Sequence, residues 1–258
     1  MSNPAFYAEP AELAGLTAGS RLSLGGAEGR HAVTVKRLQP GEPVDVCDGA
    51  GLRLQCTVTA AGAGVLEVEV NTVLPEVADP YELVLVQALA KGDRDELAIE
   101  TATELGVDGV VPWQAERSIV RWKMDKATKG VAKWRNVVAT AAKQARRSTV
   151  PWVGDLVGTG GLLELIASAD LALILHEDAV AGLPAVLDGW KAGAAGGESR
   201  RRRVVMVVGP EGGMSAAEVQ AFLDAGAHKA LLGNHVLRSS TAGPAAVVLL
   251  SHALGRWK

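Results

Sequence analysis

A short apolar run at residues 204–208 is the feature that most constrains the fold of this chain. It consists of valines and one methionine, and such a run is typical of a strand buried on both faces, as in a parallel sheet. It ends at a glycine-rich turn over residues 209–213, after which Ser215 and Glu218 have the spacing of a helix capping box. The sequence therefore predicts a strand, a tight loop that carries Glu211, and a helix.

The same arrangement recurs further along the chain. A short strand is predicted at residues 230–232, followed by a loop at 233–235, by Arg238 and by an apolar helix over 242–254. Pro244 favours the first turn of that helix, where its missing N–H costs no hydrogen bond. Ligands of open α/β sheets bind beyond the carboxyl ends of parallel strands, so the two loops together predict one pocket. Each loop alone is equally typical of an ordinary turn.

Composition indicates an ordinary soluble globular protein, with 48% apolar and 21% charged residues. No apolar run reaches the roughly eighteen residues that a membrane-spanning helix needs, and no secretory leader pattern opens the chain, so we expect a cytoplasmic protein.

Cys47 and Cys56 are too few, and too far from any histidine cluster, to suggest zinc ligands. This predicts reduced, structural thiols and no metal site; a disulfide across a hairpin is the less favoured alternative.

Basic residues are concentrated between residues 117 and 147, although the formal net charge of the chain is −3. Asp125 is the only acid of that segment, against ten lysines and arginines. A long helix is predicted over 125–147, with a basic face and an apolar stripe made of Val131, Trp134, Val138, Ala141, Ala142 and Ala145. A charged face is more often simply solvated. Solvated faces usually mix both signs of charge, however, so the near absence of acids is the argument for a polyanion such as RNA.

The first 75 residues contain short runs that are typical of strands, separated by glycine-containing turns. The runs lie at residues 32–38, 43–47, 52–58 and 65–70. They predict a small antiparallel barrel. Residues 74–80, with two prolines, are the candidate linker.

The pattern after this linker is that of an α/β domain. A strand is predicted over 83–89, and a helix through 97–105 begins at an Asp93/Glu96 capping box and ends at Gly106.

Two more strands are predicted at 107–113 and 171–175. The second ends at His176, and a lone histidine at a strand end is more often a hydrogen-bonded structural residue than a catalyst, although its backbone is placed to line the pocket. Residues 189–203, with several glycines and four arginines, predict a mobile surface connection whose arginines either contact RNA or keep the loop soluble. The motifs of dinucleotide-binding folds, P-loops and serine-hydrolase elbows are absent from the sequence.

Six motifs occur in an order that resembles one known family. They are Ala88-Leu-Ala-Lys-Gly-Asp93, Ala102-Thr-Glu-Leu-Gly106, Glu116-Arg-Ser-Ile-Val120, Gly209-Pro-Glu-Gly-Gly213, Leu232-Gly233 and Leu237-Arg-Ser-Ser-Thr-Ala242. In these motifs the chain is similar to the ribosomal small-subunit RNA uracil-N3 methyltransferases, the RsmE type of the knotted SPOUT superfamily. The resemblance covers nearly the whole chain.

The resemblance implies an α/β fold in two domains. A small N-terminal PUA-like β-barrel that binds RNA would occupy residues 1–75, and a C-terminal SPOUT methyltransferase domain with a trefoil knot would occupy residues 82–258. Nothing in the periodicity of the sequence predicts a knot, which most folds lack. The family uses S-adenosylmethionine as its cofactor, acts as a homodimer, and methylates N3 of a uridine in the 16S rRNA of the small (30S) ribosomal subunit.

The resemblance also implies which residues form the site. Cofactor binding is expected at His176, Glu177, Gly209, Pro210, Glu211, Gly212, Gly213, Leu232, Gly233, Asn234, Leu237 and Arg238. RNA binding is expected at His31, Lys36, Arg37, Arg117, Lys133, Arg135 and Arg147, although solvated basic residues on the barrel are an equally good explanation for the first three.

Two residues are candidates for the chemistry. Arg238 is permanently cationic, so we expect it to hold the uracil carbonyls while negative charge develops on them; a brace to a carboxylate is the alternative. Glu211 either accepts a proton, positions Arg238, or accepts a structural hydrogen bond within its loop.

The chain departs from the family pattern at two places. The family's Glu-Gln-x-Gly-Arg is Lys143-Gln-Ala-Arg-Arg147 here, and Ser240 replaces a threonine-like residue after Arg238. Two other functions stay open: a knotted methyltransferase that acts on another RNA, such as a ribose hydroxyl of tRNA, and a non-catalytic RNA-binding or assembly protein.

Overall fold

The protein forms two compact units, which are described separately. The structure is a computed structural model, and it describes residues 3–75, 77, 79–193 and 200–257. The N-terminal unit comprises Met1–Ala78 and Ala142–Val150, and the C-terminal unit comprises Asp79–Ala141 and Pro151–Lys258. The boundary after Ala78 falls in the predicted linker. Residues 142–150 belong to the N-terminal unit, whereas the sequence prediction placed them in the second domain.

Five strands form the sheet of the N-terminal unit: β1 (Ala5–Tyr7), β2 (Arg21–Leu24), β3 (Pro43–Cys47), β4 (Leu52–Gly62) and β5 (Val65–Pro75). Their order is β1-β3-β4-β5-β2, in which β1 lies parallel to β3 and the other pairs are antiparallel. The three predicted strands 43–47, 52–58 and 65–70 are confirmed. The sheet is not purely antiparallel as predicted, and β5 extends into the predicted linker as far as Pro75.

Residues 32–38 were predicted to be a strand, and this prediction is wrong. Helices α1 (Pro10–Leu13) and α2 (Gly26–Arg30) belong to this unit, and a π-helix over His31–Val35 continues α2. A β-carbon on Gly29 would lie 2.2 Å from the Leu24 carbonyl oxygen and 2.5 Å from that of Gly64, so α2 lies directly on backbone. This packing buries Ala32 and leaves Val35 66% exposed. Tertiary contacts therefore override the strand propensity of the valines.

Cys47 and Cys56 are both buried, and neither forms a disulfide within the described residues. In the register of the sheet, Val44 faces Cys56 and Cys47 faces Arg53, so the thiols do not lie opposite each other. Burial raises the pKa of Cys56 to about 12, which keeps this thiol protonated and unreactive. The prediction of reduced, structural cysteines is confirmed.

Six strands form the sheet of the C-terminal unit: β6 (Tyr81–Ala88), β7 (Gly109–Trp113), β8 (Trp152–Val153), β9 (Leu171–Leu175), β10 (Arg202–Val208) and β11 (His228–Ala230). All pairs are parallel, in the order β11-β9-β10-β6-β7-β8. The central strands β6, β7 and β10 are buried along most of their length, as their continuous apolar sequences predict.

The described part of the chain from residue 79 onwards contains six helices: α3 (Arg94–Glu104), α4 (Asp125–Gln144), α5 (Thr159–Ser168), α6 (Leu183–Gly193), α7 (Ala216–Asp224) and α8 (Ser239–Ala253). Of the stripe predicted for α4, all residues are buried except Ala145, which lies beyond the end of the helix. Helix α8 packs against α3, α6, β6 and β10. Of the helices in the described part of the chain, none has the combined length and apolar character needed to cross a bilayer.

Three predicted details of these elements are wrong. Strand β11 ends at Ala230, two residues before the predicted end. Helix α8 begins at Ser239, so Pro244 lies in its second turn instead of its first, where it is buried. Asp93 precedes α3 in the left-handed conformation, with φ of 57°, and its side chain makes no capping hydrogen bond. The Asp93/Glu96 capping box therefore does not form.

The four arginines at residues 200–203, where β10 begins, contact neighbouring residues. Arg200, Arg201 and Arg203 form ion pairs with Asp170, Asp108 and Glu82 at 2.5, 2.9 and 2.7 Å, and Arg202 lies over the Trp190 ring. These contacts bind residues 200–203 to neighbouring elements of the C-terminal unit, a role that the sequence did not predict. Within the predicted mobile connection, residues 189–193 belong to α6, and residues 194–199 lie outside the described part of the chain.

The unusual residues Lys143 and Arg146 have a structural explanation within the N-terminal unit. The Lys143 Nζ donates to both carboxylate oxygens of Glu28, at 2.6 and 2.7 Å, so the reversed charge has an acidic partner. Arg146 occupies the position of the family's glycine, and its φ of 56° is the left-handed conformation that glycine adopts most easily. The departures therefore change local partners and leave the backbone path intact.

Candidate active site

A cleft of about 970 Å³ lies at the carboxyl edge of the parallel sheet. The register aligns Leu175 with Val208 and Val208 with Gln87, so β9, β10 and β6 end side by side. The loops that follow β9, β10 and β11 line the cleft together with the start of α8. The predicted single pocket is therefore formed, and its position follows the general rule for parallel sheets.

The loop after β10 is a tight turn over residues 209–213. The Gly213 N–H donates to the Pro210 carbonyl at 2.9 Å, and the φ of 71° at Gly213 is a conformation that favours glycine. A β-carbon on Gly209 would lie 3.1 Å from Cγ of Met214, so the turn packs closely on the residue that follows it. The backbone at position 213 therefore favours glycine, whereas a side chain at position 209 would press on that of Met214.

Glu218 joins this loop to two other segments. The predicted capping box is confirmed: the Ser215 N–H donates to Glu218 Oε2 at 2.9 Å, and the Glu218 N–H donates to Ser215 Oγ at 3.2 Å. Glu218 Oε1 also accepts from the Glu116 N–H at 2.8 Å and from Thr159 Oγ1 at 3.1 Å. These long-range partners were not predicted, because the capping pattern identifies only the local pair.

Glu211 makes its contacts with the loop after β6. The Lys91 N–H and the Arg94 Nη1 both donate to its Oε1, at 3.2 and 3.3 Å. Its Oε2 makes no hydrogen bond, and the side chain forms no contact with Arg238, among the residues that the structure describes. Neither Lys91 nor Arg94 was predicted as a site residue.

Arg238 is an exposed residue at the N-cap of α8. Its guanidinium forms no hydrogen bond or ion pair with any part of the chain that the structure describes, so the brace to a carboxylate is not observed. The next residue, Ser239, is buried and begins the helix. Arg238 is thus a cation that lines the cleft with its donors available.

His176 has local hydrogen bonds. The ring Nδ1 of His176 accepts from the backbone N–H of Asp178 at 3.1 Å. The backbone N–H of His176 donates to the Ala230 carbonyl at 3.2 Å. These contacts hold the ends of β9 and β11 together, in agreement with the structural role expected from the sequence.

All twelve residues predicted for the cofactor line the cleft: His176, Glu177, Gly209, Pro210, Glu211, Gly212, Gly213, Leu232, Gly233, Asn234, Leu237 and Arg238. Arg94 and Arg117 line it as well. No group of three or more potential metal ligands is found within the described ranges.

The residues predicted for RNA are distributed over both units. Arg117 donates to the carbonyls of Gly212 and Met214 at 3.4 and 3.5 Å, beside the cleft. On α4, Lys133 pairs with Glu96 at 2.5 Å and with Asp93 at 3.6 Å, while Arg135 lies 3.8 Å from Asp155. The hydrogen bond to Glu96 raises the pKa of Lys133, which is already a cation at neutral pH. His31, Lys36, Arg37 and Arg147 belong to the N-terminal unit.

Two family models match the chain and define its class. One is described as an RNA methyltransferase domain and matches residues 77–251; the other is described as an RNA methyltransferase PUA domain and matches residues 24–71. The class is therefore that of RNA methyltransferases with an N-terminal PUA domain.

Similar proteins narrow this class further. A protein named ribosomal RNA small subunit methyltransferase E from Mycobacterium bovis is 40% identical over 238 residues, which cover 90% of this chain and 86% of that protein. The Bacillus subtilis protein of the same name is 28% identical and covers 90% of both chains. The chain belongs to the ribosomal RNA small subunit methyltransferase E family.

A solved structure supports the same conclusion. It is a ribosomal RNA small subunit methyltransferase E from Neisseria gonorrhoeae bound to S-adenosyl methionine, with 28% identity and a TM-score of 0.78, and it covers 97% of this chain and 98% of that one. The predicted α/β SPOUT fold with a PUA-like N-terminal domain is thus confirmed, while the trefoil knot stays a prediction.

Proposed function

We propose that the protein transfers a methyl group from S-adenosylmethionine to N3 of a uridine in 16S rRNA. One observation supports this most directly: the unpaired guanidinium of Arg238 and the glycine turn 209–213 line the same cleft. A cation with available donors and a backbone-lined cavity are what this reaction requires from the enzyme. We infer cytoplasmic localisation from the substrate.

The cleft fits S-adenosylmethionine in size and lining. Its volume of about 970 Å³ is at the upper end of the range for small-molecule sites. Leu175, Val208 and Leu231 supply apolar contacts for an adenine ring, while Glu177 and Asn234 supply polar ones. The turn of residues 209–213 exposes backbone groups to a ligand because glycines carry no side chain there. S-adenosylmethionine would supply the electrophilic methyl group.

The chemistry assigned to the chain concerns the uracil ring. N3 of uridine releases its proton to solvent and forms a bond to the methyl carbon, while the bond from that carbon to sulfur breaks and its electron pair stays on the sulfur, which leaves as a neutral thioether. Negative charge spreads onto the O2 and O4 carbonyls as the proton leaves. Arg238 donates to these oxygens and stabilises the charge, because its guanidinium is always protonated and has several donors.

RNA binding is assigned to the PUA-like unit, proposed over residues 1–75, and to the basic helix α4 of the proposed catalytic domain, 82–258. His31, Lys36 and Arg37 follow one another closely in the N-terminal unit, and the last two are exposed. Arg117 places a further cation beside the cleft. Phosphate contacts of this kind supply affinity without reading the sequence.

Salt dependence tests these contacts. Replacing Lys133, Arg135 and Arg147 with alanine is expected to weaken binding to the small ribosomal subunit and to flatten the slope of log affinity against log salt concentration by roughly one to three units. Arg200→Ala, which removes an arginine with a side chain 58% exposed outside the residues proposed to bind RNA, is the control and should leave the slope unchanged. An unchanged slope in the triple variant would assign the RNA surface to other residues.

We also propose a homodimer that buries part of α8. Val247 and Leu250 are buried within the C-terminal unit, whereas Val248 and Leu249 are only half-buried. A helix that is apolar on nearly every side favours a partner for the half-buried side chains. Light scattering at micromolar concentration is expected to give twice the mass of the chain; a monomer would refute this.

A further inference from the structure

We propose that Arg94 is a positioning residue that holds Glu211 and thereby fixes the loop 209–213 in the shape that binds the cofactor. The proposal rests on the proposed function only in its reference to the cofactor. It assigns Glu211 to none of the chemical steps. We call the contacts from the Lys91 N–H and the Arg94 Nη1 to the Glu211 Oε1 the Arg94–Glu211 bracket.

The two loops of the bracket leave the sheet side by side. Strands β6 and β10 are parallel neighbours, and Val208 at the end of β10 is in register with Gln87. Gly92 and Asp93 both have left-handed conformations, with φ of 62° and 57°, so the chain reverses directly after Lys91. Because of this reversal, the Lys91 N–H and the side chain of Arg94, the first residue of α3, both reach the Oε1 of Glu211.

The loop after β6 is itself anchored. Asp95 is 5% exposed, and its carboxylate accepts from the N–H groups of Ala90 and Glu96 at 3.4 and 3.0 Å. Glu211 is therefore held by a loop with a buried anchor of its own. The opposite side of the loop 209–213 is held by Arg117, which donates to the Gly212 and Met214 carbonyls.

This geometry distinguishes the three roles that the sequence allowed for Glu211. A residue that positions Arg238 would contact it, and no such contact exists within the described residues. A general base would contribute about a hundred- to ten-thousandfold to the rate, and it works best when its pKa lies near the working pH. In the structure the Glu211 Oε1 instead accepts from two donors of the neighbouring loop, the Lys91 N–H and the Arg94 Nη1. The third role, a loop acceptor, is the one that the contacts support.

Kinetics and binding of three variants test the bracket. Arg94→Ala is expected to weaken S-adenosylmethionine binding by about two- to fivefold, as the loss of one partly exposed ion pair predicts, and to raise KM for the cofactor without changing kcat. Arg94→Lys keeps a cation and should restore most of the affinity. Glu211→Gln keeps an oxygen acceptor for both donors, so its kcat should stay within about fivefold of the wild-type value, with an unchanged pH profile.

A further measurement does not depend on the cofactor. Amide hydrogen exchange of residues 209–214 is expected to be faster in Arg94→Ala than in the wild type, because the loop loses one of its anchors. Arg200→Ala removes a comparable arginine–carboxylate pair, with Asp170, away from the residues that line the cleft, and should leave this exchange unchanged.

Two results would overturn the proposal. Equal exchange in Arg94→Ala and the wild type would show that the pair does not hold the loop. A loss of kcat of a hundredfold or more in Glu211→Gln, with cofactor affinity retained, would make Glu211 the proton acceptor. Failure of the wild-type protein to bind S-adenosylmethionine would instead refute the proposed function, and the exchange measurement would still decide whether the bracket exists.

Discussion

Arg238→Ala is expected to reduce methyl transfer by about a hundred- to a thousandfold, while the melting temperature and S-adenosylmethionine affinity stay close to the wild-type values. The guanidinium is exposed at the mouth of the cleft and has no partner within the described residues, so its removal breaks no contact of the folded chain. The loss is expected in kcat, because the charge that Arg238 stabilises exists only as the proton leaves N3.

Two comparisons make this test specific. His235→Ala changes an exposed residue of the same loop and should have a much smaller effect on kcat. Arg238→Lys keeps the charge but not the paired donors, so an intermediate rate is expected. Cofactor affinity that falls in parallel with activity would contradict the account and assign Arg238 to the scaffold of the pocket.

Phe222→Ala is expected to reduce the free energy of unfolding of the C-terminal unit by about 3–5 kcal/mol. Phe222 is fully buried, and its ring meets that of Trp113 edge-on, with 5.5 Å between the ring centroids. Replacing the ring by a methyl group would leave a cavity beneath α7, the helix that begins at the Ser215/Glu218 capping box. Weaker cofactor binding should therefore accompany the loss of stability.

Denaturant unfolding followed by tryptophan fluorescence measures this change. Phe222→Leu keeps most of the volume and should cost about 1.5 kcal/mol or less. A loss below about 1 kcal/mol in the alanine variant would contradict the packing described for this core.

The sequence predicted best those features that depend on local patterns. The apolar run 204–208, the turn after it and the Ser215/Glu218 box all form as predicted, because periodicity, glycine conformation and capping act within a few residues. The Asp93/Glu96 box has the same spacing but does not form: Asp93 adopts a left-handed conformation, and its side chain makes no capping hydrogen bond.

The features that the sequence did not predict depend on partners far along the chain. The π-helix at His31–Val35 results from Gly29 packing on the carbonyls of Leu24 and Gly64. Lys143 has its acidic partner 115 residues earlier, at Glu28. The Arg94–Glu211 contact likewise joins residues that lie 117 positions apart. Neither spacing nor composition indicates such pairs.

The most direct test of the account is to identify the nucleoside that the protein modifies. Small ribosomal subunits from cells that lack the protein are incubated with purified protein and S-adenosylmethionine labelled in its methyl group, and the rRNA is digested to nucleosides. We expect label in a uridine methylated at N3, appearing about a hundred- to a thousandfold more slowly when Arg238→Ala replaces the wild type under the same conditions. Label on a ribose hydroxyl or on another base, or no label with an active cofactor-bound protein, would contradict it.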